Sequence, residues 1–317
     1  MASQQNSTPI VAVVAAAGAG IAFGCMGTAS QVVMRQGFSL GQIVTAQFLV
    51  ATLFLGLLTL VRFRQLPGWR DVCKLLAVGL LQPLSALLLY SGIDYLEVGP
   101  AVAIQFQYVW LTIAIQSAVE RTLPPRRIIV AALVIIGGTL LASGVAETVA
   151  GGGSSFSLEG ILLSAGCAVS YSFFLYFNGK VATDVHPVPR SFLLCLSGAV
   201  LSSAVFPGLY AEPFETLSAL APGAIALGLL ASAPVLCLSY AAKRLTGGLV
   251  AILPSMELPA AVVTGVLVLG DATSPVKIVG VLAILAGIVI SEGSHLFEQH
   301  RKPPETIAEA TETAALD

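Results

Sequence analysis

The chain has 317 residues, of which 56% are hydrophobic and only 10% charged, with a mean hydropathy of +0.90 and a formal net charge of −2. A soluble domain carries roughly 25% charged residues, so the composition excludes an ordinary water-soluble fold. With no excess of positive charge, no surface for nucleic acid is expected.

A hydrocarbon core about 30 Å thick is crossed by about 20 apolar residues in a helix. Ten segments of this kind follow one another, at about 10–34, 40–61, 72–92, 97–119, 127–144, 158–178, 191–210, 219–241, 248–270 and 276–296. They are too long and too continuously apolar for barrel strands, which alternate over about ten residues. The expected fold is therefore all-α, integral to the membrane, with ten transmembrane helices. The leading MASQQNSTP has no Lys or Arg and the apolar run behind it is long, so no cleaved signal peptide is read there. Five scattered cysteines (Cys25, Cys73, Cys167, Cys195, Cys237) show no C-x-x-C spacing and read as packing residues.

Polar residues enter the spans in a few places. In the third span Gln82 and Ser85 flank Pro83. Gln105, Tyr108, Thr112 and Gln116 recur in the fourth at spacings of three or four, which places them on one helical face. Such a stripe lines a cavity or bonds to a neighbouring helix; Trp110 beside it suits a cavity or the lipid equally. Tyr171 marks the sixth span, and Ser232 with Pro234 the eighth. The ninth carries LPSMELPAA, with Pro254, Ser255, Glu257 and Pro259. Glu257 lies 13 residues from Arg244 and 14 from Asp271, which puts it at the midplane. An acid there costs about 2.5–3.5 kcal/mol on insertion scales, so it faces protein or water and marks a pathway or a helix contact. Both prolines withhold a backbone donor, and irregular backbone at this depth is tolerated only against protein or a cavity.

Counting basic residues in alternate connections gives an orientation. Arg62, Arg64, Arg70, Lys74, Arg121, Arg126, Arg127, Lys180, Arg190, Lys243, Arg244, Arg301 and Lys302 fall on one side, and only Arg35 and Lys277 on the other. Both termini are expected in the cytoplasm, and the unbroken alternation supports an even number of spans.

The chain also repeats itself. GAGIAFGCMGTASQVVMRQG (18–37) aligns with GILLSAGCAVSYSFFLYFNG (160–179) at an offset of 142, matching Gly24 with Gly166, Cys25 with Cys167 and Gly37 with Gly179. The end of the fourth span, VERTLPP, aligns with that of the ninth, LGDATSP, pairing Glu120 with Asp271 at an offset of 151. The unit therefore has five spans, and because five is odd the second copy enters from the opposite side. The expected organisation is a first five-helix repeat over 10–144, a Gly/Ser-rich linker over 145–157, a second repeat over 158–296 and a disordered cytoplasmic tail over 297–317. Inverted repeats of this kind build carriers that expose a central site to each side in turn.

With AVERTLPP, VLGDATSPVKIVGVLAILAGIVI and ILPSMELPAA in view, the chain resembles the EamA type of the drug/metabolite transporter superfamily over about 11–294. Two features depart from that pattern: Pro259 follows Glu257 by two residues instead of one, and Asp271 stands where Glu is usual. The resemblance implies a cavity lined by spans 1, 3, 4, 6, 8 and 9. On it, Glu257, Gln105, Tyr108, Thr112, Gln82, Ser85, Tyr171, Ser232 and Ser255 are candidates for substrate binding or proton coupling. Glu120 and Asp271 are candidates for helix-end contacts or gating, and Pro254 and Pro259 for hinges.

The function expected is secondary transport, outward, of a small polar metabolite such as an amino acid or amine, with protons as a candidate coupling ion. The alternative is a facilitator or uptake carrier for a neutral metabolite or sugar. A membrane enzyme is a remote third, because His186, His295 and His300 form no H-E-x-x-H or metal set. No Walker A sequence is present, so an ATP-driven pump within the chain is not supported. No cofactor and no metal are expected; the partners are the substrate, the lipid bilayer and protons. The expected location is a bacterial plasma membrane, and no oligomeric state is assigned.

Overall fold

The computed structural model describes residues 8–63, 67–145 and 157–301. Most of the 145–157 linker and residues 302–317 of the tail lie outside them. Among the described residues the chain is helical throughout, without a strand. In order the helices are α1 (Thr8–Met34), α2 (Leu40–Arg62), α3 (Trp69–Ile93), α4 (Val98–Gln105), α5 (Tyr108–Glu120), α6 (Arg126–Ala142), α7 (Leu158–Asn178), α8 (Pro187–Val205), α9 (Phe214–Ala241), α10 (Gly247–Ile252), α11 (Glu257–Thr264) and α12 (Pro275–Arg301). Among the described residues, eight segments are long and apolar enough to cross a membrane, and Pro275–Ser291 is a shorter apolar helix. The last helix continues through Arg301, past the boundary expected at 296.

Lipid as solvent is visible in which side chains turn outward. In α2, Ala51 and Leu55 are fully buried while Leu53, Leu57 and Leu60 are each more than 60% exposed. Exposed apolar surface on this scale is excluded in water but costs nothing against acyl chains. At its N-terminus α2 closes a capping box: the Ser39 amide donates to Gln42 Oε1 at 2.8 Å and the Gln42 amide to Ser39 Oγ at 3.3 Å.

The most extensive helix contacts all join the two halves of the chain. α6 packs on α12, α3 on α7 and α8, α1 on α9 and α11, and α2 on α8 and α9. These pairings exchange with one another under the repeat: α1 meets α9 and α11 in one half as α7 meets α3, α4 and α5 in the other. Small residues set the closest crossings, because in lipid helices associate mainly by van der Waals fit. A Cβ on Gly280 would strike the Ala142 amide and the Gly138 carbonyl, and one on Gly138 would strike the Gly280 carbonyl and the Ile284 amide.

Charges near the helix ends are placed less simply than loop counting implies. Arg190, read as a loop residue, lies in the first turn of α8 and is fully buried. Its guanidinium donates to the backbone carbonyl of Asn178, the last residue of α7, and to Asn178 Oδ1 at 3.0 Å. It thereby satisfies a carbonyl at the negative end of the α7 dipole.

The α6–α12 crossing should not tolerate bulk. Gly280→Leu is expected to cost more than the ~1–3 kcal/mol typical of overpacking, because it meets backbone, whereas Ile129→Leu, at an outward position, should be neutral. Thermal unfolding of the detergent-solubilised proteins checks this, and equal midpoints would refute it.

Candidate functional site

Two helix breaks face the middle of the bundle. In the fourth span the helix stops at Gln105 and restarts at Tyr108, with Phe106 and Gln107 donating back to Val102 and Ile104. In the ninth, α10 tightens into a 3₁₀ turn at Leu253–Met256 before α11 begins at Glu257. The 151-residue offset that aligns Glu120 with Asp271 also carries Phe106 onto Glu257, so the breaks are equivalent positions in the repeat. Pro254 accounts for the second, since it has no amide to continue the helix. Pro259 does not act as expected: it falls in the first turn of α11, where a missing donor costs little, and the helix runs through it. No proline marks the break in the fourth span.

α1 covers the ninth-span break through Gly20 and Gly24. A Cβ on Gly20 would collide with the Pro254 carbonyl and the Glu257 amide; one on Gly24 would collide with the Glu257 carbonyl and Ala260. Only glycine allows the backbones this close, and the approach seals the irregular segment from lipid. One turn further on, Thr28 and Thr264 share a hydroxyl hydrogen bond of 2.7 Å, fixing α1 against α11.

Glu257 is half-buried and takes part in neither of the two ion pairs among the described residues. Tyr90 from α3, Tyr108 from α5, and Cys167 and Tyr171 from α7 lie within its electrostatic reach. The rings form a wall: Tyr108 meets Tyr171 edge-on at 4.8 Å and 89°, Phe106 lies 5.5 Å from Tyr108, and Tyr171 stacks on Phe174 at 5.9 Å. Tyr108 and Ser255 are fully buried and Tyr171 is 5% exposed. The Tyr108 hydroxyl faces Ser255 without closing a hydrogen bond of normal geometry. Among the described residues the oxygens of Tyr108, Tyr171 and Ser255 have no hydrogen-bond partner of normal geometry. Leaving a buried polar group unpaired costs about 1–3 kcal/mol, so three around one carboxylate are a feature to explain.

The remaining candidates separate from this cluster. Thr112 donates to the Tyr108 carbonyl at 2.8 Å, Ser85 to the Gln82 carbonyl at 2.6 Å and Ser232 to the Leu229 carbonyl at 2.6 Å. All three bonds are local ones that occupy the hydroxyl within its own helix. Gln82 and Gln105 are half-buried in α3 and at the end of α4. The expected stripe is divided: Tyr108 belongs to the cluster around Glu257, whereas Gln116 donates to Glu120 Oε2 at 3.0 Å at the far end of α5. Glu120 in turn pairs with Lys180 at 2.7 Å and holds that ammonium above its ordinary pKa. Asp271 is exposed, beyond a π turn at Gly265–Leu269 and a left-handed Gly270. An apolar cleft of about 220 Å³ between α2 and α9 and another of about 120 Å³ beside Gln116 and Arg127 lie away from Glu257.

Sequence reasoning missed Tyr90 and Cys167. Cys167 was detectable through its repeat partner Cys25 but was read as packing alone, and Tyr90 carried no local signal.

A bundle of membrane-spanning helices interlaced from two halves, with broken helices meeting at a half-buried acid, is the build of a membrane transporter. The profile of the EamA-like transporter family matches residues 10–144 and again 158–292, and the chain belongs to that family. A solved structure described only as "Crystal structure of protein" is similar, with a TM-score of 0.70 at 18% identity, covering 88% of this chain and 97% of its own. That likeness concerns the fold. A search of curated proteins found no match.

The unpartnered hydroxyls give the site a distinctive signature. Tyr108→Phe and Tyr171→Phe should leave the unliganded protein as stable or raise its stability by about 1 kcal/mol, because each removes an unpaired polar group. Unfolding midpoints measured without ligand check this, and a loss above 2 kcal/mol, on the order of a broken buried hydrogen bond, would show that the hydroxyls are paired.

Proposed function

We propose that the chain is a secondary transporter that moves a small polar metabolite carrying an ammonium group, an amine or amino acid, outward across a plasma membrane by alternating access. The observation that supports this best is the midplane cluster: a carboxylate with accessible surface and no basic partner, walled by aromatic rings and unpaired hydroxyls. An ammonium ion satisfies each part. It pairs with Glu257, accepts the cation–π attraction of Tyr108 and Tyr171, and donates to the unpaired oxygens.

The reading takes the chain as ten spans in two inverted five-helix repeats, with α4 and α5 forming the fourth and α10 to the π turn the ninth. The equivalent breaks and interlaced pairings support it, and the basic-residue count supports cytoplasmic termini. Proton coupling needs no further group. When the ammonium leaves to the outside, a proton takes its place on the Glu257 carboxylate; on the cytoplasmic side the proton is released as the next ammonium binds. The charge of the site is conserved, and one proton enters per cation exported.

Purified protein in proteoliposomes with an imposed pH gradient should export amines or amino acids against their gradient and show counterflow. Glu257→Gln should weaken binding of a cationic substrate about 30-fold or more, as expected when one partner of a buried charge pair is truncated, and abolish the response to pH. Wild-type flux and coupling in that variant would exclude Glu257 from the mechanism. Flux without trans-stimulation would instead identify a channel-like facilitator.

A further inference from the structure

Several cations at the end assigned to the cytoplasm are claimed by the protein itself. Lys180 pairs with Glu120 at 2.7 Å, Lys243 donates to the Thr183 carbonyl at 3.3 Å, and Arg190 is bound to Asn178. Arg244 donates to the Tyr240 carbonyl at 2.9 Å and lies 3.8 Å from the Tyr240 ring. Arg127 is different. It is half-buried in the first turn of α6, and its guanidinium meets no carboxylate and no hydrogen-bond partner among the described residues.

Arg127 lines the cleft of about 120 Å³ between the end of α5 and the starts of α6 and α10. That volume is several times the roughly 30 Å³ share of one water, enough for a tetrahedral oxyanion. Gly248 brings α10 down on α6 at its edge, where an added Cβ would meet the Ile128 side chain at 3.1 Å. The other polar residues of the lining are Gln116, Ser117, Thr122 and Thr246, and no acid contributes to it. The hydroxyls of the last three bond to no described residue. Glu120, nearby in sequence, is already engaged by Gln116 and Lys180. The rest of the wall is apolar, and in such surroundings a contact between charges is stronger than in open water.

The start of α6 adds to the imbalance. A helix N-terminus favours negative charge, yet this first turn holds Arg126 and Arg127 and no acid, and Pro125 supplies no capping side chain. Ile128 is the first residue of the helix whose amide finds a backbone carbonyl, so those of both arginines are unspent. The preference for cations on the cytoplasmic side accounts for arginines at this end. It does not account for sinking one of them into a cleft without an acid.

We propose that this cleft binds a phosphate group, gripped by the Arg127 guanidinium and by the hydroxyls of Thr122 and Thr246. The planar fork of an arginine matches two phosphate oxygens at once. A phosphate seated there touches α6 from the first half of the chain and the start of α10 from the second, so it bridges the two halves at this end. Arg127 stands at a helix end, level with the headgroups, so an anionic lipid and inorganic phosphate both offer the required chemistry. The site does not depend on the transport reading.

Two probes separate the sources: dioctanoyl phosphatidic acid and inorganic phosphate, each titrated into the detergent-solubilised protein at constant ionic strength. Binding is read as the rise in unfolding midpoint with probe concentration. The wild type should bind at least one probe saturably. Arg127→Gln should weaken that binding about tenfold or more, the scale of a lost charge-assisted hydrogen bond, and Thr246→Val, which keeps the side chain's shape, about threefold. Arg70→Gln, which removes an exposed cation outside the cleft, should change it less than about twofold. With that pattern, saturation by the lipid alone makes the cleft a headgroup site, and saturation by inorganic phosphate makes it a site for the free ion. Saturation by neither probe overturns the proposal, as does equal weakening by Arg127→Gln and Arg70→Gln, the result of diffuse attraction to a basic surface. If Arg127→Gln fails to fold, Thr246→Val decides, and unchanged binding in it overturns the site.

Discussion

Every irregular stretch of backbone inside a bilayer must be covered, because lipid offers it no hydrogen bond. In this protein the constraint falls on the two interrupted spans, and the contact of α1 with the ninth span shows how it is met. Gly20 and Gly24 present bare backbone to the Pro254 and Glu257 main chain, so cover is supplied by the closest approach two chains can make. A larger residue would separate them and leave freed carbonyls against a gap. The close seat of α1 on the ninth span follows from that contact.

The same geometry concentrates unfavourable terms in one place. A carboxylate without a basic partner and three buried oxygens without hydrogen bonds each work against the stability of the empty protein. Other hydroxyls are bound within their own helix, as at Thr59, Thr112, Thr139 and Ser232, or across helices, as at Ser170 and Ser197, while Thr52 and Ser164 also stand without a partner among the described residues. A site held unsatisfied by a rigid surround gains more from a ligand that completes it than one whose polar groups already bond to one another.

Much of this was legible in the sequence because its causes are local or periodic. Span lengths follow from bilayer thickness, and the repeat from identities at a constant offset. The ninth-span break was announced by Pro254. That in the fourth was not, because no proline or glycine stands at Phe106 and Gln107 to mark it. Symmetry could have found it, by carrying Glu257 back onto Phe106. Hydroxyl positions on a helix wheel also gave no warning that Ser85, Thr112 and Ser232 would turn to their own carbonyls, a choice of rotamer and not of spacing. Arg190 was misplaced for a related reason: loop counting sees its charge, not the helix end at Asn178 that draws it inward.

The interlaced packing also bears on how the protein comes into being. Because α1, α2, α3 and α6 find their main partners in the later half of the chain, the earlier helices leave the ribosome before the surfaces meant to hold them exist. At roughly 5–20 residues per second, synthesis of the remainder takes on the order of ten seconds. During that interval Gly20, Gly24 and Gly138 line open notches filled only by lipid or by the insertion machinery. Assembly is therefore a late event, governed by the arrival of the last spans, and a nascent chain halted at its midpoint is a set of inserted helices still waiting to become a protein.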